Sequence, residues 1–384
     1  MESPERHIDY PTPYYIVYEK RLRRNLDLIT DVSRRAGVEM IMAFKANALW
    51  KTFGVFREYG VVSTASSLNE MRLANEELGC LAHTYCPAYT DATIREYLRG
   101  SSHITFNSID QYERFAGAAR EFESAAGGHR VSCGLRVNPM CTVVETDIYN
   151  PCGAGSRFGV TADAMPAELP AGIEGLHFHA LCESTSRHLE RVLEAVEAQF
   201  GRYLRQVKWL NMGGGHLITR EGYDTDHLVA LLRAFKERYP GLRVILEPGS
   251  AFTWRTGDLV ASVVDVVTNS GISTLITDVS FACHMPDCLE MPYRPAVSQA
   301  TGGPHVYRIG GNSCLSGDFV GDWAFDHPVR RGERLTFEDM NHYTTVKTNM
   351  FNGIQHPAIL YERASGDIEV LRTFDYSDYK RRMD

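Results

Sequence analysis

The chain has 384 residues, 44% of them hydrophobic, and a net charge of −8. That is enough apolar material for a large core and two domains. The lack of a Lys/Arg block argues against nucleic acid as a partner, and no apolar run approaches the ~20 residues that would span a membrane. The nine cysteines are scattered, odd in number and without a C-x-x-C pair, which fits reduced thiols in a cytoplasmic protein. Met1–Glu5 has no signal-peptide pattern. Cys283, His284, Asp287 and Cys288 are spaced too irregularly for a zinc site, so no metal is expected.

Tyr14–Tyr18 reads as a short strand. A helix follows from about Lys20, with Leu22, Leu26 and Ile29 on one face and Gly37 as its stop. Met40–Ala43 is a buried strand that runs into Lys45. Tyr59–Ala65 is strand-like, and Ser67-Leu68-Asn69-Glu70 is a capping box opening a helix that ends at Gly79. The alternation continues with strand His83–Ala88, helix Ala92–Leu98, strand Ile104–Asn107, helix Ile109–Phe122 and strand Val131–Asn138. A long loop leads to Gly159. Gly172–Ala180 is the sixth strand, followed by a helix from near Arg187 with Leu189, Val192, Leu193, Val196 and Phe200 on one face. Val207–Met212 is the seventh, and after a helix around Leu228–Phe235, Val244–Leu246 is the eighth. Eight strands alternating with helices predict an α/β chain with a (β/α)8 TIM barrel over residues 20–256.

From about Asp258 the pattern turns β-rich. Leu259–Val267, Leu275–Val279, Val306–Ile309, Arg334–Phe337, Ile359–Glu362 and Ile368–Phe374 alternate or are β-branched, and helical periodicity fades. Residues 257–384 are expected to form a β-sandwich or barrel-like domain. Residues 1–19 are expected to join it, since Tyr14–Tyr18 precedes the barrel without a barrel partner.

Barrel chemistry collects at the C-terminal strand ends. Here those ends carry Lys45, Asn107, Arg136, His179, Gly213-Gly214-Gly215 and Glu247. Each has two readings. Lys45 is a snorkelling lysine or an amine whose lowered pKa lets it form a Schiff base with an aldehyde. The glycine triplet is a flexible turn or a set of backbone N–H groups converging on a phosphate. Glu247, in Glu-Pro-Gly, is a turn residue or the partner of a pyridine nitrogen. His177 and His179 alternate to one side, as metal ligands, core residues or a face for ring stacking. Arg136 is an ion-pair residue or part of the pocket, and Glu70 has a complete explanation as a cap. Taken together, amine, phosphate cradle, stacking ring and carboxylate are what pyridoxal 5′-phosphate requires.

At these motifs the chain resembles the fold-type III pyridoxal-phosphate decarboxylases, with their alanine racemase-like barrel. Within them it is most similar to the carboxynorspermidine (carboxyspermidine) decarboxylase branch. The pointers are Ala43-Phe44-Lys45-Ala46-Asn47, Ser156-Arg157-Phe158-Gly159, His177-Phe178-His179-Ala180-Leu181-Cys182-Glu183 and Cys314-Leu315-Ser316-Gly317-Asp318. The resemblance implies a carboxy-lyase of polyamine biosynthesis, with diaminopimelate or another basic amino acid as the alternative substrate. It implies that Lys45 carries pyridoxal phosphate, His179 stacks on the ring, Glu247 pairs with its nitrogen, and Gly213, Gly214, Gly215 and Tyr343 hold the phosphate. Ser250 stands where the ornithine enzymes have arginine after Glu-Pro-Gly. Arg136 and Glu70 would brace the pocket. Cys314 would deliver a proton from the partner subunit of a homodimer with shared active sites. Arg157, Glu183, Asp278, Asp318 and Asp322 are the expected contacts to the substrate, although the aspartate motif of the ornithine branch has no clear copy near Asp278.

Overall fold

In a computed structural model of the chain, residues 8–144 and 146–384 are described. The stretch read above for signal features lies outside them. They divide into two compact units: Arg23–Trp254, and the residues up to Leu22 together with Arg255–Asp384.

The first unit is a parallel barrel sheet, and all eight expected strands are in it. The lysine strand is in two pieces, Glu39–Met40 and Met42–Ala43; the others are Ser63–Ala65, Ala82–Tyr85, Ser101–Phe106, Ser132–Arg136, Ile173–His177, Trp209–Asn211 and Arg243–Leu246. The split has a reason. Glu39–Met40 pairs with Arg243–Leu246, and Met42–Ala43 pairs with Ser63–Ala65. Between them, Ile41 N donates to Leu246 O and Met42 N to Val62 O, both at 2.9 Å. One short strand thus passes from the last neighbour to the first and closes the sheet.

Several strands start later or stop earlier than the apolar runs suggest. The expected Tyr59–Ala65 strand begins only at Ser63, because helix Phe53–Glu58 ends just before it and Gly60 turns the chain at φ +67°. Glu70 is half of the expected box. Ser67 Oγ accepts from Glu70 N (3.2 Å), but the Glu70 carboxylate reaches Ser66 N (2.6 Å), one residue earlier. The helix ends as expected at Gly79, in the left-handed conformation that favours glycine, after a last turn of π character. Helix Ser186–Leu204 opens on a Thr185/His188 capping box and buries Leu189, Val192, Leu193, Val196 and Phe200.

The N-terminal half of the barrel interior is filled by large rings. Trp209 lies against Gly134 and Gly175 on adjoining strands; a Cβ at Gly175 would meet its indole at 1.9 Å. The Trp209 Nε1–H donates to Ser132 Oγ (2.8 Å), and His83 and His103 stack beside it at 3.9 Å. With that end packed, polar side chains have room only at the opposite, C-terminal ends of the strands.

The second unit is a mostly antiparallel sheet. Tyr14–Tyr18 belongs to it, antiparallel to Gly257–Asn269 and parallel to Ala358–Glu362. Its core gathers Tyr15, Leu259, Leu275, Phe281, Trp323, Phe325 and Phe337. A strand absent from the sequence reading, Phe319–Phe325, pairs with His305–Gly310. Gly321 and Asp322 interrupt its apolar pattern. The C-terminal helix Tyr376–Arg381 is also new; it is capped by Asp375 and has no buried face to give a periodic signal. Among the described residues no helix is long and apolar enough to cross a membrane, and no His/Cys/Asp/Glu cluster is arranged to hold a metal.

Candidate active site

Lys45 sits in the turn that ends strand Met42–Ala43, where Ala46 N donates to Ala43 O (3.0 Å). Phe44 anchors the turn by stacking on Phe53 (4.9 Å, 14°). Lys45 itself keeps accessible surface, yet protein atoms surround its amine. The resulting loss of solvation holds its pKa below the usual lysine value. Glu247 opposes that shift, Arg136 adds to it and Glu70 opposes it. An accessible amine whose neutral form is favoured in this way is a better nucleophile than an ordinary lysine.

Glu247 follows the last barrel strand, and its N–H donates to Gly213 O (2.7 Å). The side-chain amide of Asn211 spans two partners: Nδ2 donates to Glu247 Oε1 (2.7 Å) and Oδ1 accepts from Gly213 N (2.9 Å). Burial raises the Glu247 pKa, while the bonds from Asn211 and Thr64 and the charges of Lys45 and Arg136 pull it down. Gly249 lets this turn approach the lysine turn. A Cβ there would lie 2.8 Å from Ala46 Cβ and 3.3 Å from Ala43 Cβ. Ser250 opens the short helix Ser250–Thr253 directly after it.

His179 Nδ1 accepts from Gly214 N (3.1 Å). That bond fixes the ring and assigns its proton to Nε2. Burial, then the Lys45 and Arg136 charges, push its pKa well down, so the imidazole is neutral. The glycine triplet therefore differs from the expected three-donor cradle. The Gly213 and Gly214 N–H groups are spent on Asn211 and His179, which leaves Gly215 as the donor available to an anion. The glycines are still required, because a Cβ at 213, 214 or 215 would meet a carbonyl oxygen at 2.5, 2.5 or 2.3 Å.

Arg136, the last residue of its strand, is buried between two aromatic faces. Its guanidinium carbon is 4.5 Å from the centroids of Tyr85 and Phe158, and Nη2 donates to His179 O at 3.5 Å. Burial lowers its pKa. Glu70 is close enough to sense Lys45, with its pKa raised by burial. His177 is buried against Tyr85 (5.3 Å), with both ring nitrogens unpartnered. Arg157 is exposed, with its guanidinium over Phe158 at 4.3 Å. Glu183 is exposed and holds a left-handed φ of +45°. The structure thus brings Lys45, Glu70, Arg136, His179 and Glu247 into one electrostatic group.

The remaining expected residues lie in the sheet unit. Cys314 is exposed, and its N–H donates to Asn352 Oδ1 (2.8 Å). Tyr343, at φ +55°, precedes helix Thr344–Lys347. Asp322 pairs with Arg308 (3.1 Å). Asp278 and Asp318, expected at the substrate, instead spend their oxygens on the sheet. Asp278 accepts from Thr12 Oγ1 (2.7 Å) and Ser262 N (2.8 Å). Asp318, buried, accepts from Ala282 N (2.9 Å), Ser313 Oγ (2.6 Å) and Ser313 N (3.2 Å). Asn211, Thr64 and Tyr85 escaped the sequence reading. For Asn211 a signal was present, an amide ending a buried strand immediately before the glycines.

Comparison with known proteins bears on this geometry. The family model described as pyridoxal-dependent decarboxylase, C-terminal sheet domain, matches residues 16–341. The chain is 46% identical over its whole length to the carboxyaminopropylagmatine decarboxylase of Synechocystis sp., covering 98% of that protein. It is 39% identical over 97% of its length to the carboxynorspermidine/carboxyspermidine decarboxylase of Campylobacter jejuni, again covering 98% of it. It is also similar to the crystal structure of carboxynorspermidine decarboxylase complexed with norspermidine from Campylobacter jejuni. There the TM-score is 0.88 at 37% identity, with 97% of this chain and 100% of that one covered. With a parallel barrel unit and a sheet unit matched over most of its length, the chain belongs to the pyridoxal-dependent decarboxylases.

Proposed function

We propose that this chain removes the α-carboxylate of a carboxyaminopropyl polyamine, carboxynorspermidine or carboxyspermidine, as a step of polyamine biosynthesis, using pyridoxal 5′-phosphate held at Lys45. The observation that carries the reading is the accessible, desolvated Lys45 amine grouped with the Asn211-bound Glu247 carboxylate, in a chain so similar to decarboxylases of such substrates. The residues present fit the cofactor. Lys45 Nζ would bind the aldehyde, Glu247 would offer its carboxylate to the ring nitrogen, and neutral His179 would present a flat face fixed by Gly214. Gly215 and Ser250 would serve the phosphate, with Arg136 and Glu70 bracing the pocket.

When bound, pyridoxal phosphate supplies the electron sink for the pair released as CO2 leaves. The chain's own part is to hold charge and move protons. Burial works against the ionised form of Glu247, while Asn211, Lys45, Thr64 and Arg136 favour it; the charge it would carry there acts with little screening. Lys45 Nζ, its pKa lowered by burial, would give up a proton and take one back more readily than an ordinary lysine. Cys314 Sγ would carry the proton that replaces the carboxylate, donated by a second copy in a homodimer. Arg157 and Glu183, both exposed, are the proposed polar contacts for the substrate in the barrel unit.

The 46% identity to a carboxyaminopropylagmatine decarboxylase favours a second reading, in which the tail ends in a guanidine instead of an amine. CO2 release should be assayed on carboxynorspermidine, carboxyspermidine, carboxyaminopropylagmatine, diaminopimelate and ornithine. Turnover of the first two is expected, turnover of the third alone selects the second reading, and turnover confined to the last two refutes both. For the shared site, Lys45→Ala and Cys314→Ala are each expected to be inactive. Mixed under subunit exchange, they should recover about a quarter of the parent activity, from one intact site per heterodimer. No recovery with exchange demonstrated would contradict it.

A further inference from the structure

Arg136 is one layer of a longer stack. In order, the Arg157 guanidinium lies over Phe158 (4.3 Å), Phe158 faces Arg136 (4.5 Å), Arg136 faces Tyr85 (4.5 Å) and the Tyr85 ring leans on His177 (5.3 Å, 33°). These groups come from strand Ala82–Tyr85, strand Ser132–Arg136, strand Ile173–His177 and the loop at 156–159. Guanidinium against aromatic face is attractive, more so away from water, but only if the layers stay in register. The loop carrying Arg157 and Phe158 is anchored on its C-terminal side by backbone bonds of Val160 to Arg136 O and Asn138 N (both 2.9 Å), which leaves Arg157 and Phe158 themselves to be placed by other contacts.

One side chain ties these parts together. Asn107 follows strand Ser101–Phe106, and its Oδ1 accepts both Tyr85 OH (2.8 Å) and Gly159 N (2.9 Å). Its Nδ2 donates to Arg157 O (2.9 Å), and its own N–H donates to Gln111 Oε1 (3.0 Å). The amide thus grips the loop on both sides of Phe158 and, with the same oxygen, the hydroxyl of the ring on the far side of Arg136. Asn107 touches none of the reacting groups. Gly159 supports the clamp: it holds φ +80°, and a Cβ there would lie 2.9 Å from Val137 C, so the loop is pressed onto the strand end.

We infer that Asn107 is a positioning residue whose amide clamps Tyr85 to residues 157–159 and thereby holds the Arg136 guanidinium in place beside Lys45. The inference rests on the reading of Lys45 as the reactive amine. Its consequence is electrostatic. Burial does most to lower the Lys45 pKa; Arg136 is the charge that adds to it, and Glu247, Glu70 and Cys182 oppose it. Arg136 itself is faced by Tyr85, Cys152 and Glu247, and its charge is felt by His177 and His179. If the guanidinium drifts, the carboxylates dominate and the amine holds its proton to higher pH.

The test uses the full-length chain without added cofactor. Lys45 is acetylated with acetic anhydride across pH 6–10, and the extent at Lys45 is read by peptide mass spectrometry. Asn107→Ala and Phe158→Leu are each expected to move the midpoint up by about half a pH unit or more, whereas Phe158→Tyr, which keeps the ring, is expected to match the parent. If Asn107→Ala does not fold, the Phe158 pair carries the test, since Leu removes the ring from the stack without touching the clamp. Folded variants whose midpoints match the parent would overturn the inference while leaving the decarboxylase reading intact. That reading fails separately, if the parent releases no CO2.

Discussion

Asn211 Nδ2 lies 2.7 Å from Glu247 Oε1, and the same amide accepts the Gly213 N–H. One side chain therefore fixes the carboxylate and the glycine turn together. The bond to Asn211 is the leading influence holding the Glu247 pKa down against burial.

Asn211→Ala should accordingly raise the Glu247 pKa. The charged form would then be lost at a higher pH, and the acid limb of kcat/KM should move upward. A hydrogen bond to a buried charge contributes about 1.5–3 kcal/mol, so a loss of roughly 10- to 100-fold in kcat/KM is expected at pH 7. A pH–rate profile of the purified variant checks both; an unmoved acid limb would contradict the role given to Asn211.

Asp318 receives three donors while buried. Asp318→Ala strands those donors and should destabilise the sheet unit by about 2–4 kcal/mol. Denaturant unfolding measures this directly. A fully stable variant with only a raised KM would restore Asp318 as a substrate contact.

His83 and His103 stack in the packed end of the barrel. Burial pushes the His103 pKa down to about 4, and that of His83 well below its ordinary value. Both are neutral when folded and titrate near 6.5 when unfolded, so the unfolded state binds more protons below that pH. Their contribution is complete above pH 6.5 and declines as pH falls toward 4, by about 1.4 kcal/mol per pH unit for each group. His103→Phe should lose less stability than the parent between pH 6.5 and 4.5 in thermal unfolding. Parallel losses would refute this.

Much of this architecture is legible in the residues. The eight apolar runs, the strand at Tyr14–Tyr18 and the stop at Gly79 follow from periodicity and glycine chemistry, which act locally. The parts that stayed hidden depend on partners distant in sequence. Nothing near Glu39–Ala43 says that the strand must divide to close a ring. Asp318 reads as a free carboxylate until the fold brings Ala282 to it. The glycine triplet reads as three open donors until Asn211 and His179 claim two of them. Asn107 reads only as a strand-end residue and Asn211 as the end of an apolar run, because an amide at a strand end carries no mark of which groups it will bridge.

The account depends most on Lys45 being the residue that binds the cofactor. The direct measurement is to incubate the purified chain with pyridoxal 5′-phosphate, reduce it with borohydride, and map the modified peptide by mass spectrometry. A single pyridoxyl adduct on Lys45, with no adduct at position 45 and no visible absorbance band in Lys45→Ala, is the predicted result. An unmodified Lys45, or an adduct fixed at another lysine, would contradict it.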